Sequence, residues 1–335
     1  MPIAKCLALT LLPAAFCWSS AAAAQTFGSC SVGTASTDLG SESSFVVGTT
    51  SQSGSGGSGM ACGAISLITT SYLKLRVESS SFLLTSPGGQ TIPFVMSGTA
   101  GGAAIGAGAE FDFSGFDLLN LFSGPGGAVP VYFRTTPTTG LAAGSYTGSV
   151  SLRWYFSVCT LGVVACLAYS DSPGATRNIF GVLTNWGTGV PVTINVSLTV
   201  ENDCIITAPD LAFGAAPLAG TFNPVTRTIS IRCSAGAAYT VGLDNGTNAS
   251  GSTRRMRRAA TSDYLAYDIY RDTASTDRWG SIGAERRSSA GADNNPGLYD
   301  GSTLQGFTYR AVIDPAQPTP PAGTYTDTII LDVTF

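Results

Sequence analysis

Histidine is missing altogether from these 335 residues. Its absence removes Ser-His-Asp and Cys-His catalysis and most zinc sites. Charge is scarce as well: Asp, Glu, Lys and Arg make up 11% of the chain, against ~25% in ordinary soluble proteins. Lys and Arg number 17 against 21 Asp and Glu, a net charge of −4, so the basic footprint of a nucleic-acid binder is lacking. The carboxylates are material for a glycosidase pair, but nothing singles out two of them. No Gly-rich stretch has the strand-then-helix setting of a phosphate-binding loop. No segment sustains helical periodicity, and none approaches ~20 continuous apolar residues. No enzyme, cofactor, metal or nucleic-acid partner is expected.

What is present is 44% hydrophobic residues and 41 glycines, enough apolar material to bury a core. Short alternating strands with Gly/Pro/Ser turns point to an all-β fold of sandwiches. Residues 1–24 read as a secretory signal: Lys5, then "CLALTLLPAAFCW", then "AAAA" before Gln25. Cleavage there removes Lys5, Cys6 and Cys17 and leaves a net charge of −5, one lysine less than −4. Cys30, Cys62, Cys159, Cys166, Cys204 and Cys233 remain, an even set in an exported chain and therefore candidates for disulfides.

A repeat organises the rest. "AGSYT" (143–147) recurs as "AGTYT" (322–326), and alignment on it matches Cys30 and Cys62 with Cys204 and Cys233. The repeat therefore pairs Cys30 with Cys62 and Cys204 with Cys233, leaving Cys159 with Cys166 to clip a hairpin. The first copy continues into "VPVTINVSLTV" (190–200), a strand by its alternation. The second alternates through Tyr325, Ile329, Leu331, Val333 and Phe335 with no such strand after it. The expectation is a complete domain over 25–201, a boundary at Glu201–Asp203, and a domain over 202–335 lacking its last strand. A groove left in this way is filled by a strand from another chain, with Tyr325, Ile329, Leu331, Val333 and Phe335 along it.

The stretches "CIITAPDLAFG" from Cys204, "ISIRC" ending at Cys233, "YLAYDIYRD", "RWG" (278–280) and "AGTYTDTI…DVTF" occur in order over 203–335. This part of the chain resembles the spore coat protein U-like pilin domain, a family that includes subunits of archaic chaperone–usher pili. The resemblance implies two immunoglobulin-like β-sandwiches, the second an incomplete pilin sandwich. It implies as partners a periplasmic chaperone, an outer-membrane usher and an adjacent pilin subunit that donates a β-strand, with no homo-oligomer. A two-domain member resembles a tip adhesin, exported through the periplasm to the pilus tip at the cell surface and active in biofilm formation. Only Gln25–Ser29 precede Cys30, about 17 Å of extended chain, too little for a donor strand, which agrees with a tip position. A structural shaft or coat subunit, or a secreted glycan-binding protein, are the alternatives.

A seven-strand count of the first domain puts three apolar loops at the pole away from the linker. They carry the candidate surface-binding residues Ile65, Leu67 and Ile68, then Ala103, Ala104 and Ile105, then Leu161, Val163 and Val164. Large apolar patches on loops mark interaction sites, here hydrophobic surfaces. "FDLLNLF" (116–122) and "GVLTNWG" (181–187) read as core, and "RRMRR" (254–258) as a solvated strand or loop with Met256 facing in.

Overall fold

The computed structural model describes residues 29–63, 71–114, 121–161 and 166–335. Strands dominate. In the first half they are β1 (Cys30–Val32), β2 (Ala35–Ser43), β3 (Ser53–Cys62), β4 (Tyr72–Ser79), β5 (Leu83–Thr85), β6 (Thr91–Ser97), β7 (Glu110–Asp112), β8 (Ala128–Thr135), β9 (Gly144–Leu161), β10 (Ala168–Asp171), β11 (Ala175–Arg177), β12 (Leu183–Trp186) and β13 (Val190–Glu201). In the second half they are β14 (Cys204–Thr207), β15 (Val225–Cys233), β16 (Thr240–Leu243), β17 (Arg254–Arg258), β18 (Tyr264–Tyr270), β19 (Arg287–Ser288), β20 (Gln305–Ile313), β21 (Tyr325–Thr326) and β22 (Leu331–Thr334). A short α-helix, α1 (Ser44–Thr49), is capped by the Ser43 side chain, which accepts from Val46 N.

The two halves are wound the same way. The first runs β1-β3-β8-β6-β5-β9 and the second β14-β15-β20-β18-β17-β21. β4 pairs with the far part of β9, as β16 pairs with β22, so β21 and β22 together stand where the unbroken β9 stands. Each half has its own core. Trp154, Phe94, Phe113 and Phe133 fill the first, and Trp279, Tyr299 and Phe307 the second. Both indoles find a carbonyl, Trp154 at Ser58 and Trp279 at Val241, as a buried N–H requires. These are two β-sandwiches of immunoglobulin type, the second, among the described residues, without its last strand.

The repeated Ala-Gly-Ser/Thr-Tyr-Thr motif is a tyrosine corner. Tyr146 donates to Ala142 O at 2.8 Å and Tyr325 to Pro321 O at 2.7 Å, each four residues upstream. The bond fixes the turn into the strand that follows. The cysteines aligned by the repeat are bonded, Cys30–Cys62 and Cys204–Cys233, each across a strand pair, and Cys159–Cys166 closes the third bridge.

The halves differ at the strand that closes the sandwich. β13 pairs antiparallel with β9 and parallel with β2, which closes the first sandwich. To reach β13, the chain after β1 crosses Gly59, whose φ is +78° and whose Cβ, were there one, would meet Gly33 O at 2.1 Å. Only glycine fits there. In the second half residues 208–213, which follow β14 as β2 follows β1, form no strand, and among the described residues β22 pairs only with β16. The halves meet through a buried Ser44–Ser234 hydroxyl bond of 2.8 Å and through Ala235 N donating to Leu141 O.

Two sequence expectations change here. The seven-strand count is too low, because thirteen strands precede Cys204 among the described residues. One member of the basic cluster is not solvated: Arg257 is exposed and Arg255 and Arg258 are half-buried on β17, but Arg254 is fully buried, ion-paired to Asp268 at 2.7 Å and donating to the carbonyls of Leu243, Asp244 and Trp279. Met256 does pack on the core.

Replacing both Cys204 and Cys233 by serine opens a loop of 29 residues and should lower stability by ~2–4 kcal/mol. Urea titration of the strand-complemented chain, with and without the pair, measures it.

Candidate functional site

Where β13 lies in the first sandwich, the second has a cleft of ≈ 430 Å³. Leu211 and Phe213 form one wall, Ile329 and Leu331 the other, and Ile229, Tyr267, Ile269 and Tyr309 the floor. Alternation puts Tyr325, Asp327, Ile329, Leu331 and Val333 on the inner face, all half-buried. Tyr325, Ile329 and Leu331 line the cleft, and Val333 packs on the same core. Phe335 does not line it. That ring is 53% exposed, in a shallow depression with Tyr239 and Leu298.

Asp327 is the polar member of the cleft. Its carboxylate accepts from Tyr267 OH (2.8 Å), Thr247 Oγ1 (2.9 Å), and the backbone N (3.2 Å) and Nδ2 (3.1 Å) of Asn248. Burial first, and then the bond to this carboxylate, hold the Tyr267 hydroxyl far above its ordinary value, so it stays a neutral donor. Asp244 ties the opposite end, accepting from Ile330 N at 2.9 Å. The Asp244 side chain thus satisfies a backbone N–H between β21 and β22 where no strand does.

A second site lies on the first sandwich. β9 runs 18 residues, about 55 Å, from beside the second sandwich, where Ala142 bridges Ala235, to Leu161. At that far end Leu161 and Leu167 are 59% and 78% exposed, joined by Leu167 N donating to Leu161 O and flanking the Cys159–Cys166 bridge. Beside them projects the β11–β12 hairpin, whose tip holds Ile179 and Phe180 at 93% and 82% exposure. Asn178 Oδ1 accepts from Phe180 N and Val182 N, which sets the turn. Arg177 pins its root, donating to Ser157 O (2.7 Å), Ser157 Oγ (2.6 Å) and Gly181 O (2.6 Å). Its guanidinium stacks over Tyr169 and Tyr72, and Lys74 stands over Trp186 and Tyr155. Protein cations thus already cover these aromatic faces.

Of the candidate surface residues, Leu161, Ala103 and Ala104 are exposed. Ile105 is not: it is 6% exposed, belongs to the core, and donates its N–H to Met96 O at 2.8 Å. The loop folds back and inserts its one large side chain. Ile65, Leu67, Ile68, Val163 and Val164 lie outside the described residues. The Ile179–Phe180 tip was not anticipated, although "NIFG" (178–181) carried a signal, two bulky apolar residues inside a turn. Among the described residues no group of His, Cys, Asp and Glu is placed to hold a metal, and no helix is long and apolar enough to cross a membrane.

The model of the Spore Coat Protein U domain family matches residues 190–332. Protein U of Myxococcus xanthus is 31% identical over 177 residues, covering 51% of this chain and 78% of that protein. The chain belongs to the spore coat protein U family. A solved structure, the CsuC-CsuE chaperone-tip adhesion subunit pre-assembly complex from archaic chaperone-usher Csu pili of Acinetobacter baumannii, matches with a TM-score of 0.69 and 32% identity, over 92% of this chain and 100% of that one. Family and fold are thus those of pilus structural and adhesin proteins. The spore coat protein U match includes both the cleft and β13.

Exposure separates the two kinds of apolar residue. Ile179→Ser and Phe180→Ser should each change stability by no more than ~0.5 kcal/mol, whereas Ile105→Ser should cost ~2–4 kcal/mol. Thermal unfolding of the three variants checks the contrast.

Proposed function

We propose that this chain is the tip adhesin of a chaperone–usher pilus, with residues 1–24 as signal peptide, 25–201 as the distal adhesive domain and 202–335 as the pilin domain. The carrying observation is a difference between two like sandwiches: the slot filled by β13 in one is an open apolar cleft in the other. A strand-shaped apolar cleft beside an unpaired strand edge is a receptor for an added strand. A periplasmic chaperone occupies it first. At the outer-membrane usher the adjacent pilin subunit replaces the chaperone with its own strand. The likeness to a tip adhesion subunit over most of the chain supports the tip position.

The adhesive contact is the far end of the first sandwich, where Leu161, Leu167, Ile179 and Phe180 stand exposed. Burial of about 300 Å² of apolar surface there gives roughly 7 kcal/mol gross, most of it offset by the cost of association. One tip binds a hydrophobic surface weakly, and many pili together bind firmly enough for a biofilm. Cations over Tyr169, Tyr72, Trp186 and Tyr155 argue against sugar stacking at this pole.

Adhesion per assembled pilus to hydrophobic and hydrophilic supports tests the reading. Serine at Ile179, Phe180, Leu161 and Leu167 together should lower binding to the hydrophobic support at least about tenfold, a loss of ~1.4 kcal/mol per tip, with pilus length and number unchanged. Thr138→Asp, near the second sandwich, should do little. Undiminished adhesion by normally assembled variants would remove this pole as the binding site.

A further inference from the structure

β13 belongs to two modules at once. Its ladders place it in the first sandwich, antiparallel to β9 and parallel to β2. Its sequence places it in the second, because the family match begins at Val190, the first residue of β13, and not at Cys204. The strand that closes the first sandwich is the leading segment of the second module. Val192, Ile194, Val196, Leu198 and Val200 enter the slot and are at most 6% exposed.

The filled and open slots correspond position by position. From Gly144 and Gly323 the sequences align without a gap: Tyr146 with Tyr325, Gly148 with Asp327, Val150 with Ile329, Leu152 with Leu331 and Trp154 with Val333. In the first sandwich Tyr146 faces Leu198, Gly148 faces Val196, Val150 faces Ile194 and Leu152 faces Val192. β2, the other wall, begins five residues after Cys30, and residues around 209, five after Cys204, line the open cleft. The mismatch is Gly148 against Asp327.

We propose that β13 is the donor strand of the second module, inserted in cis into the first, so that the chain is two pilin-type sandwiches fused in their order of polymerisation. The cleft of the second then takes from another subunit a strand of the β13 pattern, antiparallel to 325–334 and alongside 208–213. It carries large apolar side chains opposite Tyr325, Ile329 and Leu331. Opposite Asp327 it carries a small or hydrogen-bonding one, because an apolar group there would cover a carboxylate without adding a donor. This rests on the reading that the cleft accepts a strand.

The test appends a second copy of residues 190–201 after Phe335 on a flexible Gly/Ser linker, in the full chain produced without a chaperone. One control copy has serine at Val192, Ile194 and Leu198. Another appended strand, of equal length and unrelated to β13, alternates Ile and Thr. The β13 copy should yield a monomer whose amides at 327–331 exchange at least about 100-fold more slowly than in the parent. The serine copy should behave as the parent does. Within the copy, Val196→Thr should preserve protection, while Ile194→Ser or Leu198→Ser should each lose about tenfold or more of it. Protection by the Ile/Thr strand but not by the β13 copy overturns the proposal and leaves the cleft reading standing. Protection by neither removes both. Protection by the β13 copy with greatest sensitivity at Val196 overturns the register.

Discussion

The first sandwich depends on one strand. The five inward side chains of β13 are almost wholly removed from water, and each such burial is worth ~1.5–3 kcal/mol, so the strand contributes roughly 7–15 kcal/mol before entropy. That gross sum is as large as the whole net stability of an ordinary domain, ~5–15 kcal/mol. A sandwich of this design without that strand is therefore not an independent folding unit. Among the described residues the second sandwich has no counterpart of that strand. Tyr325, Ile329 and Leu331 remain half-buried around a cleft, and the strand that is continuous as β9 is broken into β21 and β22. The break has a local cause. With no neighbour to bond, the backbone at 328–330 turns to the loop at 244–247, where Asp244 takes Ile330 N and Thr247 N reaches Thr328 O.

Polar clips concentrate in the half that lacks a strand. Among the described residues, the pairs of the first sandwich include Lys74–Glu110 and Arg153–Glu78, and six join residues of the second. Arg254 and Arg278 share Asp268, Arg278 reaches on to Glu285, and Arg286 holds Asp332 on β22. Buried pairs of this kind add little net stability, because desolvation offsets most of the attraction. Their effect is geometric. Arg254, bonded to three carbonyls and a carboxylate, admits one arrangement of β17, β18 and the loop before Trp279. Arg286 holds β22 against β16 while the opposite edge of β22 stays free.

Much of this was legible in the sequence because it rests on local rules. Alternation marks β13 and the inner face of 325–333, and the repeated Ala-Gly-Ser/Thr-Tyr-Thr motif aligns the cysteines that are bonded. The failures have a common physical origin in contacts remote in sequence. Ile105 sits in a Gly/Ala loop that looks exposed until the loop closes onto Met96. Arg254 reads as a surface charge because its carboxylate, Asp268, is fourteen residues away on another strand. The Ile179–Phe180 tip was hidden because a short apolar run in "RNIFGVLTNW" has no period that separates a core strand from a projecting hairpin. Its exposure follows from Asn178, which closes the turn, and from Arg177, which anchors the hairpin root on β9.

Covalent connection makes the two slots unequal. A strand joined in cis by a short connection meets its slot at an effective concentration in the millimolar range, whereas a separate subunit must arrive by diffusion. β13 emerges directly after the hairpin that ends at Trp186 and needs only Gly187–Gly189 to reach β9. The first slot therefore closes as the chain folds, and its 145–154 edge is never open to a second molecule for long. The second slot has no such neighbour among the described residues. Its apolar walls persist as a cleft, and an open edge of this length invites pairing with the wrong chain. The bonds from Asp244 and Thr247 reduce that hazard by occupying the backbone at Ile330 and Thr328, between β21 and β22. They also leave Ile329 and Leu331 lining the cleft, so the apolar half of a strand-sized slot stays formed while its backbone edge is partly occupied.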